Sequence, residues 1–124
     1  MRYNYRMLIR VDPQSTVPLF AQIAAGLRAE ITGGRLGAGE RLPAAREVAE
    51  ALQVNLHTVL HAYQALRDEG LIDLRRGRGA VVTPAGAALA GLRAEIAALV
   101  DKSRALGVSP DTLSALVKEA ARDH

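Results

Sequence analysis

The chain has 124 residues, 49% of them apolar, with one Phe, three Tyr, no Trp and no Cys. That length builds one small core with room for an appendage and excludes large multi-domain enzymes; the missing cysteine excludes disulfides, thiol catalysis and cysteine-held zinc, and the few aromatic rings argue against base-stacking surfaces. The net charge of +3 lies entirely in residues 1–84, with 11 Lys/Arg against 8 Asp/Glu, whereas residues 85–124 balance at 5 against 5, so the front of the chain suits a polyanion and the tail another task.

In chain order, "MRYNYRMLIR" lacks the apolar core of a signal peptide, and no later run is long enough to span a bilayer. A cytoplasmic protein without membrane contact is expected. "MLIRV" is β-prone and makes a short strand candidate at Leu8 to Val11. From Pro18 the positions Phe20, Ile23, Leu27 and Ile31 recur at helical spacing; Pro18 suits the first turn, and Gly33-Gly34 ends the run. The glycine-rich "GRLGAGERL" predicts a loop. A shorter helix follows Pro43, with Ala45, Val48, Ala49 and Leu52 on one face. After a tight connection at Gln53-Val54, Asn55 caps a third helix to about Glu69, with Val59, Tyr63 and Leu66 inward and Gly70 as terminator. "LIDLRRGRGAVV" then reads as strand, turn, strand, but Arg75, Arg76 and Arg78 crowd around Gly77 and Gly79. A short hairpin normally manages with one polar residue and a glycine.

This order of elements predicts a mainly α fold with a small β wing: a winged helix-turn-helix over residues 1–84, followed by a C-terminal helical hairpin over 85–124. In that architecture the third helix enters the DNA major groove and the hairpin rests on the backbone or minor groove. Arginines at its tip would meet phosphates, and glycines would let its backbone approach closely. A solvated loop also uses such residues, though rarely so many of one sign together.

The stretch from Val17 to Val82 carries many separated anchors: "PLFAQIA", "GRLGAGERLP", the Arg of "AARE", "TV" followed by "AY", "LRDEGLI" and "RRGRG". With these the chain resembles the GntR family of bacterial transcription regulators. The roughly 40 residues that follow are too short for the large effector domains of most of that family and are similar to the two-helix tail of its YtrA subfamily. The resemblance implies that Arg46 contacts phosphate or a guanine, that Asn55, His57 and Thr58 face bases and backbone, and that Arg78 and Gly79 place the wing in the minor groove. The plainer alternative for Arg46 is an ion pair with Glu50 at i+4, worth about 0.2–0.5 kcal/mol. Several positions depart from the family pattern. Ala44 stands where a capping serine is usual, Leu56 where arginine or proline is common, and Leu60 and His61 where polar or basic residues are usual. Fewer charges would then face the groove, with thymine-methyl contacts from the leucines as a partial replacement.

His57 and His61 form an i, i+4 pair, but the metalloprotease glutamate is absent and the remaining histidine is the terminal His124. Two ligands are not a site, so neither metal nor other cofactor is expected. The tail opens with Thr83 as cap and Pro84 in the first turn; Leu89, Leu92, Ile96, Leu99, Ser103 and Leu106 then recur at three- and four-residue steps. After Gly107, Ser109 and Pro110 start a second tail helix with Leu113, Leu116, Val117 and Ala120 on its apolar face. So small a hairpin cannot bury both stripes alone, which points to a homodimer through the tail; folding back on its own winged helix is the alternative.

No nucleophile has a placed base, and "RRGRG" is no phosphate-cradling loop because no helix follows it directly, so catalysis is not expected. The function expected is a dimeric, sequence-specific DNA-binding repressor reading an inverted-repeat operator. Its rival is a winged-helix protein-interaction module without specific DNA binding, which Leu56 and Leu60 would favour. A small-molecule effector stays open, and its pocket would have to lie between tail and winged helix.

Overall fold

The structure, a computed structural model, describes residues 9–123. Helix α1 (Leu19–Thr32) starts on Pro18, whose carbonyl accepts from the amides of Ala21 and Gln22. Its apolar repeat places Ile23, Leu27 and Ile31 in the core with no exposed surface. Helices α2 (Ala45–Leu52) and α3 (Leu56–Asp68) are joined by a turn in which Gln53 takes a left-handed φ of 59° and the Val54 amide donates to the Ala49 carbonyl at 3.0 Å. That bond is the Schellman closure of a helix end, here without the usual glycine. Both α1 and α2 pack on α3. From α3, Val59, Ala62 and Leu66 are fully buried; Tyr63 is nearly so, and its hydroxyl donates to the Pro43 carbonyl at 2.5 Å.

The hairpin follows as β1 (Ile72–Arg75) and β2 (Gly79–Val82), antiparallel, with Ile72 opposite Val82 and Arg75 opposite Gly79. The glycine-rich stretch before α2, expected to be only a loop, does more. Gly39 and Leu42 donate to the carbonyls of Val82 and Ala80, Val82 donates to Glu40, and Arg41 lies opposite Val81. The stretch thereby occupies the outer edge of β2 and satisfies its backbone groups.

The strand expected at Leu8 to Val11 does not form where it can be seen: Leu8 lies outside the described residues, and Ile9 to Val11 is irregular. Among the described residues no strand pairs with it. Instead the Gln22 side chain serves the segment, accepting from the Asp12 amide at 2.7 Å and donating to the carbonyls of Asp12 and Val17. Ile9 is buried on α1 at Gly26, where a β-carbon would come within 2.7 Å of its side chain.

Helix α4 (Pro84–Ala105) is capped as its sequence predicts: Thr83 Oγ1 accepts from the Gly86 amide at 2.9 Å and donates to the Gly70 carbonyl. Its first turns belong to the winged helix, because Ala87 and Leu89 pack on that core. One compact unit accordingly ends at Ala90 and a second begins at Gly91, inside α4 rather than at the Pro84–Ala85 junction. In the second unit, the rest of α4 leads to α5 (Pro110–Asp123), capped by Ser109, whose Oγ accepts from the Thr112 amide at 3.1 Å. No residue of α5 is buried.

The seating of α4 depends on one small residue. A β-carbon on Gly86 would lie 2.5 Å from the Leu71 carbonyl oxygen, a backbone atom that cannot swing aside, whereas one on Gly91 would meet nothing within 4 Å. Gly86→Ala should lower the unfolding free energy by about 1–3 kcal/mol, while Gly91→Ala should leave it unchanged or raise it by up to about 1 kcal/mol. Urea unfolding of the two variants beside the parent chain checks both signs.

Candidate nucleic-acid interface

The surface that the inward residues of α3 leave free begins at its cap. Asn55 Oδ1 accepts from the His57 amide at 2.7 Å, so this oxygen is committed to holding the helix start and only the side-chain amide nitrogen points to other work. Leu56, expected in the groove, is partly buried against the core, as are Leu52 and Val54 of the α2–α3 connection. Thr58 is half-buried, while His57, Leu60, His61 and Gln64 are exposed at three- and four-residue steps. Gln64 was not among the residues singled out from the sequence, although its spacing from His57 and His61 marks the same face.

His61 is less free than a groove-facing residue was expected to be. Its ring stacks on Phe20 of α1 with centroids 3.7 Å apart and planes 12° from parallel. One face of the imidazole is therefore covered and its edge remains available. Among the described residues, no three His, Cys, Asp or Glu side chains converge where a metal ion could sit.

On α2, Arg46 is exposed and forms no ion pair among the described residues, so the alternative pairing with Glu50 is not made. The N-cap Ala44 is extended (φ −60°, ψ 142°) and offers no side-chain acceptor. Behind this surface, Arg28 of α1 clasps Glu69 at the end of α3 through two hydrogen bonds, which hold the Arg28 guanidinium above its ordinary pKa despite opposing burial. Both side chains are about 40% exposed, which limits the pair to less than about 1 kcal/mol.

In the wing, the Arg78 amide donates to the Arg75 carbonyl at 3.0 Å, and Gly77 and Gly79 take φ of 82° and 76°. Both glycines are thus demanded by the turn itself, whatever approaches it. Arg75 leans on Asp73 at 3.3 Å, leaving Arg76 and Arg78 as the wing arginines without a carboxylate among the described residues.

The apolar residues assigned to the tail divide. Leu89 is committed to the winged-helix core rather than to a seam. Leu92, Ile96 and Leu99 are 45%, 50% and 43% exposed, Leu106, Leu116 and Val117 are also exposed, and Leu113 is half-buried.

A helix-turn-helix with a basic hairpin behind its second helix defines a winged-helix DNA-binding module. The model of the bacterial regulatory proteins of the gntR family matches residues 19–82, just over half of the chain, and the chain belongs to that family of transcription regulators. It is similar to the HTH-type transcriptional repressor YtrA of Bacillus subtilis, with 29% identity over 122 residues that cover 94% of each chain. Among solved structures it is similar to YtrA from Sulfolobus acidocaldarius (41% identity, TM-score 0.57, 61% of this chain and 80% of that one). It is similar also to the DNA-binding domain of AraR, solved in complex with operator ORX1 (25% identity, TM-score 0.55, 59% of this chain and 90% of that one). The chain spans only 15% to 31% of several longer curated relatives that it matches over the winged helix. Among the described residues no helix is long and apolar enough to cross a membrane.

The two caps make opposite cases. Asn55→Ala should destabilise the protein by about 1 kcal/mol, and Ala44→Ser should stabilise it by a similar amount, since the cap position is already extended and lacks only the oxygen. Thermal unfolding followed at 222 nm checks both.

Proposed function

We propose that this protein is a transcription repressor that binds duplex DNA as a homodimer, with α3 in the major groove and the wing on the backbone or minor groove. One observation carries the reading: the exposed face of α3 holds no carboxylate before Asp68 and is accompanied, in the same unit, by Arg46, Arg76 and Arg78, which form no ion pair among the described residues. A polyanion meets positive charge there with no acidic residue on the reading helix before its last position, where Asp68 pairs with Arg67. The similarity to AraR, solved on its operator, and to YtrA, named a repressor, supports the same assignment. The roles follow from chemistry. Arg46 supplies a bidentate donor to a phosphate or a guanine; His57, the His61 edge and Gln64 offer hydrogen bonds to base edges; Leu60 offers apolar contact to a thymine methyl. A small-molecule effector has no assigned pocket in this scheme.

A protein-interaction module is the second reading, favoured by Leu60 and Leu74, which are 37% and 40% exposed on this unit. Salt separates the two: duplex binding through phosphates weakens steeply with ionic strength, and apolar docking does not.

Arg46→Ala should weaken binding to a duplex selected from a random pool by roughly 1–3 kcal/mol, with an unchanged circular dichroism spectrum. Unaltered affinity would remove α2 from the interface.

The dimer rests on the α4 seam. If Leu92, Ile96 and Leu99 pair across a two-fold axis, the selected duplex is an inverted repeat with half-sites about one helical turn apart, and two weak half-site contacts act as one strong contact. Leu99→Asp places a carboxylate in that seam and should yield a monomer by analytical ultracentrifugation, with affinity lowered roughly 100-fold or more, to that of a single half-site. A parent chain that sediments as a monomer, or a monomeric variant that binds at full strength, would give the tail another purpose.

A further inference from the structure

We propose that the cleft between the wing tip and the segment preceding α2 is a binding site for the DNA backbone, in which Arg41 and Arg78 together hold phosphate. The proposal rests on the DNA-binding reading and adds a contact, Arg41, which lies in the quoted anchor "GRLGAGERLP" but to which the resemblance gives no role and which no helix face presents. The cleft has a volume of about 810 Å³ and lies within the winged-helix unit, with residues 39–44 on one wall and Gly77, Arg78 and Gly79 on the other.

Arg41 reaches this place through the backbone pairing at the edge of β2. The bonds from the Leu42 amide to the Ala80 carbonyl and from the Val82 amide to the Glu40 carbonyl, each 2.9 Å, flank Arg41 and set it directly opposite Val81. In an antiparallel ladder, such a flanked pair brings its two side chains to the same face at close range. The sheet edge therefore fixes Arg41 beside the wing.

The other charges in the cleft are already engaged. Arg35 donates to Glu30 at 2.8 Å; the Glu40 carboxylate accepts from the Gly37 amide at 2.6 Å; Glu47, which also lines the cleft, has a partner of its own. Arg41 and Arg78 have no carboxylate partner among the described residues. Both guanidinium groups line the same concavity, where each could donate in fork geometry to a phosphate of a bound strand. The wall positions Gly39, Gly77 and Gly79 have no atom within 4 Å of a would-be β-carbon, so a strand can lie along the walls without meeting side chains there. The cleft is far larger than one phosphate and open on one side, which fits a continuous backbone.

The test uses the full chain with Arg41→Gln, Arg78→Gln, the double variant, and Arg104→Gln in the tail as control. Each binds a labelled random-sequence duplex, and separately the duplex selected from a random pool, across a range of NaCl concentrations by fluorescence anisotropy. The expected result is a salt slope reduced by about 0.9 for each arginine removed, a double variant that loses both increments, equal fold-losses on both duplexes, and an unchanged control. A wild-type slope for Arg41→Gln beside a reduced slope for Arg78→Gln would overturn the site. So would calorimetry showing that Arg41→Gln abolishes binding of inorganic tripolyphosphate while duplex affinity is untouched, because the cleft would then serve a free anion. A parent chain that binds neither duplex fails at an earlier step, and the DNA-binding reading falls with it.

Discussion

The packing of α1 and α2 onto one side of α3 governs everything else in this protein. Val59, Ala62, Tyr63 and Leu66 must all face inward, and each fully buried aliphatic side chain contributes about 1.5–3 kcal/mol. With 3.6 residues per turn, this choice leaves His57, Leu60, His61 and Gln64 outside; no rotation of α3 changes the outer face without exposing the inner one. The bond from the Tyr63 hydroxyl to the Pro43 carbonyl ties the entry of α2 to the same residues. Arg46, one turn further on, is thereby held in a set relation to α3 by the core itself. Reading residues on such rigid elements need little ordering when they meet a ligand.

The second constraint is the edge of β2. A two-stranded hairpin is marginal alone in water. Here it is secured on its outer side by the stretch from Gly39 to Leu42 and at its base by Thr83, whose hydroxyl bonds to Gly70 while receiving the Gly86 amide. Positive charge lies mostly off the reading helix, on Arg46, Arg41 and the wing arginines, and the exposed α3 face before Arg67 is made of two histidines, a leucine and a glutamine. In the proposed complex, contacts from those arginines would position a duplex without discriminating sequence, and the neutral face would carry the discrimination. On that proposal, affinity from charge and specificity from shape and hydrogen bonding would fall to different elements.

Much of this was legible in the sequence because it is written in side chains. The spacing of Ile23, Leu27 and Ile31 gave α1, Asn55 and Gly70 bounded α3, and the glycines and arginines of "RRGRG" marked the wing. What escaped was carried by the backbone or by tertiary neighbours. The pairing of residues 39–42 with β2 uses amides and carbonyls that every residue possesses, so a glycine-rich composition could only suggest a loop. Leu56 stands one residue past the cap, where helical periodicity has barely begun, and its partial burial is set by the core it packs on. The partner of His61 comes from α1, 41 positions away, and the partner of Ile9 is the absence of a side chain at Gly26. The β-prone composition of Leu8 to Val11 misled because strand propensity expresses a fit to neighbouring strands, and here the neighbour is a helix.

The tail poses an energetic problem of its own. Ordering a residue costs about 1–2 kcal/mol of backbone entropy, which a helix recovers chiefly by burying an apolar face. Helix α5 is well capped by Ser109 and Pro110 and has Asp111 in its first turn, yet none of its residues is buried. Capping and dipole effects contribute typically about 1 kcal/mol each and do not sustain fourteen ordered residues. The missing free energy has to come from covering Leu116 and Val117, and with them the Leu92, Ile96 and Leu99 stripe of α4. A second copy of the chain supplies apolar stripes of the same composition, and a two-fold pairing would cover both tails at once. Folding of the tail and assembly of two reading heads would then be a single event, and a recognition helix whose one arginine, Arg67, lies in its last turn would gain its strength from being used twice.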